Sequence, residues 1–411
     1  MSKTNKGGLN VANRTLFICD NLPVLEGMNS ESVDLIYLDP PFNSNRHYSA
    51  PIGSKAAGAH FKDAWTLDDI DMGWIGQIAE RYPKLHTLLN AVGGINGKGS
   101  MSYLVFMARR MLEMHRVLKP TGSLYLHCDP TMSHSLKILM DAIFGKAKFR
   151  NEILWCYTGP GSPKMRQFNR KHDTIFWYSK GTKWMFNNDA VRIPHKDGGP
   201  HTGGYGITRD IAAKYGAKGK IPETWWQFAI APRGKEYIGY PTQKPIKLLE
   251  RIIKASSAEG DVILDPFCGC ATACVAAETL NRQWIGVDVS DLAEKLVKKR
   301  LEAAQDIISA KGAWKRVEVC KSAPVRTDNG DTVVNPKVYA HELYGMQECF
   351  CAGCKRFFLF RNMTIDHIKP DSEGGTDHKS NLQLLCGACN STKGNRPMNY
   401  LIGRLKKDGI I

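Results

Sequence analysis

The chain has 411 residues, enough for two or three domains with ample cores. Lys and Arg outnumber Asp and Glu by 56 to 40, a net charge of +16 that favours a polyanionic partner, nucleic acid first. A hydrophobic fraction of 43% with 23% charged residues excludes a disordered chain, and no apolar run approaches the roughly 18 residues of a membrane span. The opening Met-Ser-Lys-Thr-Asn-Lys-Gly-Gly has no apolar stretch, so a secretory signal is not expected. Twelve cysteines in such a chain predict reduced thiols or metal ligands, not a disulfide framework.

Leu16–Cys19 predicts a short buried strand ending at Asp20-Asn21, and Val33–Leu38 a second that runs straight into Asp39-Pro40-Pro41-Phe42. Residues 43–100 read as loop-rich. Tyr103, Phe106, Met107, Met111 and Met114 recur near helical spacing and predict a helix with an apolar core face. Leu118–Gly122 reads as a stop and turn, and Ser123–His127 as another strand. Residues 150–240 hold 15 Lys and Arg against 7 Asp and Glu, half of the net charge. Five of the nine tryptophans lie there too: Trp155, Trp177, Trp184, Trp225 and Trp226. Interleaved basic and aromatic residues predict an irregular, nucleic-acid-contacting lobe. A solvated basic face over a Trp-rich core is the alternative.

Regular patterning resumes with a helix over Ile246–Ala255 and a strand, Val262–Leu264, ending at Asp265. A turn through Phe267–Thr272 opens a helix to about Leu280, and the strand Trp284–Val287 ends at Asp288. A long helix follows, with Leu292, Leu296, Leu301 and Ile308 on one face. Strands alternating with helices imply a mostly parallel sheet covered on both sides. The polar, turn-rich residues 321–336 read as a linker. Ligands of such sheets bind beyond the carboxyl ends of strands, where Asp20, Asp265 and Asp288 stand. Asp288 follows Asp265 by 23 residues, near the spacing of an acid that meets a ribose hydroxyl.

Asp39-Pro40-Pro41-Phe42 resembles the catalytic motif of DNA amino-methyltransferases, and the likeness extends over about 300 residues. Asp20-Asn21-Leu22 with Val33–Leu38 is similar to that family's opening. Tyr240-Pro241-Thr242-Gln243-Lys244-Pro245 is similar to its segment before the cofactor half, and Asp265-Pro266-Phe267-Cys268-Gly269 to its cofactor loop. The catalytic motif precedes the cofactor motif, which is the family's beta arrangement, so 150–240 is expected to be the target-recognition region. An exocyclic base amine is a poor nucleophile because its lone pair is delocalised into the ring. The Asp39 carboxylate and Pro40 carbonyl can accept its two hydrogens and favour a pyramidal nitrogen, on a loop stiffened by two prolines. Phe42 can stack on a base taken out of the helix. The resemblance implies S-adenosylmethionine as cofactor. Asp265, Phe267 and Gly269 would line its pocket, with Asp288 on the ribose and Asp20 near the adenine. The family usually carries a second glycine where this chain has Cys270. Asp rather than Ser before the prolines leans towards adenine N6 over cytosine N4.

Cys351-x-x-Cys354 and Cys386-x-x-Cys389 are two knuckles whose thiolates suit a closed tetrahedral zinc site, with Cys349 as an alternative ligand. Between and after them stand Asp366-His367-Ile368-Lys369-Pro370, Gly374-Gly375, Asn381–Leu385, Asn390 and Lys393-Gly394. This pattern resembles the HNH endonuclease family over roughly 345–398. The resemblance implies His367 as general base for a water, Asp366 and Asn390 as ligands of a Mg²⁺-like ion, and Asn381 holding the loop that orients His367. Phosphodiester hydrolysis needs an activated water and a cation at the leaving oxygen, which suits an adjacent Asp and His.

The expected architecture is therefore α/β. It joins a Rossmann-like S-adenosylmethionine-dependent methyltransferase sheet over 1–315, a linker over 316–340, and a small zinc-bound ββα-metal domain over 341–411. Double-stranded DNA is the expected partner, with no membrane association, in the cytoplasm of a bacterial or phage-infected cell. Three readings compete: a methyltransferase–nuclease, a methyltransferase whose zinc module binds DNA without cutting it, and a non-catalytic reader.

Overall fold

The computed structural model describes residues 8–43, 46–49, 60–63, 65–66, 70, 72–159, 166–195, 218–229, 237–238, 240, 242–303, 316–328, 339–347, 349–373 and 381–411. Pro241, Ile308 and Gly374-Gly375, named above, lie outside them. The described strands are β1 (Thr15–Ile18), β2 (Val33–Leu38), β3 (Arg46–Ser49), β4 (His60–Asp63), β5 (Leu118–Cys128), β6 (Phe149–Cys156), β7 (His172–Ser179), β8 (Trp225–Gln227), β9 (Val262–Asp265), β10 (Gln283–Asp288), β11 (Glu318–Cys320), β12 (Met363–His367) and β13 (Leu382–Cys386). The chain divides into two compact units: 1–64 with 107–328, and 65–106 with 329–411.

The first unit is built on a nine-stranded sheet of order β11-β1-β10-β9-β2-β5-β7-β6-β8. Only β7 runs antiparallel to its neighbours. The central strands are short apolar runs buried along their length, as strands covered on both faces must be. Helix Ile246–Ser256 places Leu248, Leu249, Ile252 and Ile253 in the same core as Leu35, Ile263 and Trp284. Each such burial stabilises the fold by about 1.5–3 kcal/mol. The Trp284 indole donates to Glu278 at 3.0 Å, and Arg14 pairs with the same carboxylate at 2.9 Å, so the buried acid is compensated.

Several expectations need correction. The described part of residues 150–240 is more regular than expected, because β6, β7 and β8 make up one end of the sheet. The stop and turn expected at Leu118–Gly122 is a register shift inside β5, where Val33 pairs with Leu118 and Leu35 with Ser123. The segment 43–100 contains helices Met72–Arg81 and Pro83–Asn96 and the start of Lys98–Val117. Its helical stripe, Leu85, Leu89 and Val92, is buried. The expected linker begins too early: β11 pairs with β1, and the chain after it stays bound to the first unit. There Asn10 donates to the Val325 carbonyl at 2.8 Å, Asn29 accepts from Thr327 N–H at 2.8 Å, and Asp328 accepts from Ser30 N–H at 2.6 Å.

In the second unit β12 and β13 pair antiparallel and lead into helices Gly387–Lys393 and Met398–Lys407. Helix Ala340–Met346 packs on helix Met72–Arg81. A Cβ on Gly76 would lie 2.9 Å from the His341 ring, so this crossing needs a glycine. No helix among the described residues is long and apolar enough to cross a membrane.

Candidate active sites

Asp20, Asp39, Asp265 and Asp288 all stand at the carboxyl ends of parallel strands. β2 and β9 are direct neighbours, which brings the Asp39 loop beside the Asp265 loop although they are far apart in sequence. Asp265 is 4% exposed and accepts the Phe267 N–H at 3.2 Å; burial pushes its carboxyl well above the usual range. An under-compensated buried acid of this kind suits a cationic ligand group. Asp288 accepts from Gly269 and Ser290 N–H groups, both at 2.8 Å, and burial raises its pKa as well. These bonds fix the glycine turn. Gly269 has φ +50°, and a Cβ there would meet the Tyr240 hydroxyl at 3.2 Å. The Cys270 side chain is buried, with Sγ 3.3 Å from an Arg300 nitrogen, so a residue larger than glycine is accommodated.

The Asp20 side chain is 51% exposed, caps helix Asn21–Gly27 by accepting the Leu22 N–H, and pairs with Arg110 at 2.8 Å. Arg110 also donates to Asn21, whose amide reaches the Pro266 carbonyl at 2.7 Å. This chain of bonds ties the start of the sheet to the loop after β9. Burial lowers the Arg110 pKa to about 10 despite the Asp20 charge.

At the end of β2 one Asp39 oxygen, Oδ2, accepts from the buried Lys244 ammonium at 2.5 Å. The other, Oδ1, is buried without a hydrogen-bond partner among the described residues. A buried acceptor left open costs stability unless something fills it, so Oδ1 is a ready receptor for an N–H of a ligand. Lys244 also lies 5.4 Å over the Phe42 ring. Phe42 also stacks on His127, with centroids 6.0 Å apart and an interplanar angle of 24°.

His127, fully buried on β5, is held by Asp173 at 3.1 Å from Nε2 and by Tyr37 at 2.9 Å from Nδ1. Tyr157 donates to the second Asp173 oxygen at 3.1 Å. The carboxylate selects the Nε2–H tautomer and leaves Nδ1 to accept the tyrosine hydroxyl. Burial alone would raise the Asp173 pKa, but the His127 bond and charge, the Lys244 charge and the Tyr157 hydroxyl together outweigh it and hold it low. Sequence reasoning missed Lys244, His127 and Asp173 as site residues. Lys244 stood inside a quoted motif, and His127 near a strand end, where the rule used for the aspartates points.

Lys244 sets the charge of the site and occupies one oxygen, so that Asp39 presents the other. Lys244→Met is expected to cut turnover on the order of 10²-fold while leaving cofactor affinity within a few-fold, as loss of a preorganised charge in a largely buried site does. Turnover by methyl incorporation and affinity by calorimetry check this; unchanged turnover would remove Lys244 from the site.

In the second unit the sulfurs of Cys351, Cys354, Cys386 and Cys389 lie within 4.8 Å of one another, all buried. Cys349 is not in this group. A Cβ on Gly353 would lie 2.9 Å from Cys389 Sγ, so the first knuckle closes only around glycine. Burial disfavours the Cys351 thiolate, but amides of Cys386, Cys354 and Gly353 outweigh it and its pKa falls below the usual value. This donor set fits a tetrahedral thiolate-preferring ion such as zinc.

Asp366 and His367 end β12, opposite Gln383 and Leu382. Asn390 and Lys393 lie one turn apart on the next helix. Asn381 exchanges two 2.9 Å hydrogen bonds with the Lys369 backbone, which pins the loop after His367. Asp366 Oδ2 accepts from Gln383 at 3.0 Å and pairs at 2.9 Å with Lys393, which is 1% exposed. An ion at Asp366 must therefore share or displace this ammonium.

The first unit is laid out as an open α/β enzyme that binds a nucleotide-type cofactor across its central strands. Residues 33–299 match the model of the DNA methylase family, and the chain belongs to that family. Residues 351–396 match the HNH endonuclease model. The type II methyltransferase M.HpaI of Haemophilus parainfluenzae is 30% identical over 290 residues, 70% of this chain and 74% of that protein. The DNA adenine methyltransferase YhdJ of Escherichia coli K12 is 27% identical over 296 residues, 71% and 83% of the two chains. Among solved structures, the cytosine-N4-specific PvuII DNA methyltransferase aligns with a TM-score of 0.46 at 16% identity, covering 78% of this chain and 99% of that one.

Proposed function

We propose that the chain transfers the methyl of S-adenosylmethionine to N6 of adenine in double-stranded DNA, and that its HNH module cleaves DNA phosphodiesters with a Mg²⁺-like ion. The observation that carries the first part is the open, buried Oδ1 of Asp39 at the end of β2. An adenine amine placed there donates one hydrogen to Oδ1 and the other to the Pro40 carbonyl. Phe42, backed by His127, stacks on the extruded base. The amine lone pair then faces the cofactor side of the site, lined by Asp265, Phe267, Gly269 and Asp288. S-adenosylmethionine supplies the electrophilic methyl. Its positive charge suits the buried Asp265, its ribose suits the second lone pairs of Asp288, and Asp20 lies on the adenine side. Asp at the head of the motif and the likeness to an adenine methyltransferase favour N6 over cytosine N4. Digestion of product DNA and mass spectrometry of the nucleosides should find N6-methyldeoxyadenosine; N4-methyldeoxycytidine as the main product would contradict this.

For the second part, His367 activates water, Asp366 and Asn390 hold the ion, and Asn381 fixes the His367 loop. Restriction–modification or phage-related self-marking in the bacterial cytoplasm is the setting that suits both activities in one chain. A second reading, a zinc module that binds DNA without cutting it, is favoured by one observation: Lys393 already neutralises Asp366.

A further inference from the structure

The hydrogen bonds around His127 form one chain that crosses four neighbouring strands in their order in the sheet, β2, β5, β7 and β6. Tyr37 of β2 meets His127 of β5 at 2.9 Å, and His127 meets Asp173 of β7 at 3.1 Å. Tyr157, one residue past β6, donates to the other Asp173 oxygen at 3.1 Å. The strand directions make this possible. β5 runs parallel to β2, and β7 runs antiparallel to both β5 and β6. The ends of β5 and β6 and the start of β7 therefore lie on the same side as Asp39. Cys128 faces Thr174 and Cys156 faces His172, which brings the four side chains close to one level.

The imidazole has little freedom. It is fully buried, both of its nitrogens are bonded, and the Trp155 ring meets it at 5.6 Å and 87°. Trp155 is held in turn by a 2.9 Å bond from its indole N–H to the Phe228 carbonyl. A buried polar ring costs desolvation that an apolar side chain in the same place would not. Its directional bonds on both sides give a fixed ring plane in return. Phe42 stacks on that plane and stays partly exposed, so some of its surface is free to meet a base. The residue after Phe42 is fixed as well: Asn43, at φ +57°, donates its N–H to the buried Asp63 at 2.6 Å. Asp173 and Tyr157, at the far end of the chain of bonds, both belong to the basic segment 150–240.

We propose that Asp173 and Tyr157 are positioning residues for the target base. They act through the His127 ring, which holds Phe42 at the angle from which it meets the extruded base beside Asp39. Neither touches the reacting atoms. The proposal rests on the reading of the chain as a DNA methyltransferase. It adds the route by which the basic segment sets the geometry of the target amine.

The test uses the full-length protein and a duplex carrying a site that the wild type methylates. Turnover is counted per S-adenosylmethionine site titrated by calorimetry, so a loss of folded protein does not register as a loss of kcat. Asp173→Ala should lower kcat about 10- to 100-fold, the cost of a misplacement of roughly 1 Å, with KM for DNA and cofactor affinity within about threefold. Asp173→Asn keeps an oxygen for the His127 Nε2–H and should restore kcat to within about threefold of wild type. Tyr157→Phe, at the partly exposed end of the chain of bonds, should lose about threefold. Because Asp173 acts through Phe42, Asp173→Ala combined with Phe42→Leu should fall within about twofold of Phe42→Leu alone. Full kcat in Asp173→Ala would overturn the proposal, as would losses that multiply in the double variant. Asp173→Asn as poor as Asp173→Ala would overturn it too, by assigning Asp173 a charge effect and not a hold on the ring. A wild-type protein that binds S-adenosylmethionine and transfers no methyl to DNA is a separate failure: it contradicts the methyltransferase reading and takes the proposal with it.

Discussion

Cys354→Ala or Cys386→Ala is expected to unfold the C-terminal module and release its metal, whereas His367→Ala should keep both and lose DNA cleavage. The four sulfurs converge within 4.8 Å and sit in the module's own core with Leu384, Leu385 and Leu401. A module of this size buries too little apolar surface to hold itself, and metal binding is then largely folding free energy, on the order of 10 kcal/mol in small zinc peptides. His367 ends β12 outside the sulfur group, so its loss removes a base and no structural bond to the metal. Metal analysis should find about one zinc per chain in the wild type and in His367→Ala, and much less in the cysteine variants. Nicking should need added Mg²⁺ or Mn²⁺. Wild-type protein that nicks no DNA with either ion would leave the module as a DNA-binding element, the role to which the Lys393–Asp366 pair already points.

The parts of this molecule that were legible in the sequence are those in which chemistry is local. Asp39-Pro40-Pro41-Phe42 follows a strand that is apolar but for Asp34, and Asp20, Asp265 and Asp288 stand at the ends of three more, where the strand-end rule places them. The two Cys-x-x-Cys knuckles announce a sulfur cluster by spacing, and the four sulfurs do converge. What was not legible depends on partners distant in the chain. Gly73, Gly76, Gly93 and Gly94 blur the helical period of residues 72–96, yet Gly76 is where helix Ala340–Met346 crosses. Lys244 meets Asp39, and Asp173 meets His127, through the strand order, which no local pattern encodes. The net charge of 150–240 concealed three strands because their apolar runs are separated by longer basic stretches of sequence.

Asp39→Ala should abolish methyl transfer, by at least about 10³-fold, while cofactor affinity stays within a few-fold of wild type. The substitution removes a buried acceptor that is open to a ligand, and with it the carboxylate that Lys244 pairs with beside Phe42. Loss of a preorganised charge-bearing group in a largely buried site costs about 10²–10³-fold by itself, and loss of the Lys244 ion pair adds to it. Cofactor contacts are assigned to different residues, Asp265 to Gly269 and Asp288, whose hydrogen bonds do not involve Asp39. The most direct measurement is therefore a paired one on a single preparation of Asp39→Ala: calorimetric binding of S-adenosylmethionine, and incorporation of its tritiated methyl into DNA. Binding near the wild-type value with incorporation at background is the predicted result. Incorporation near wild type would contradict the assignment of Asp39 to the target amine.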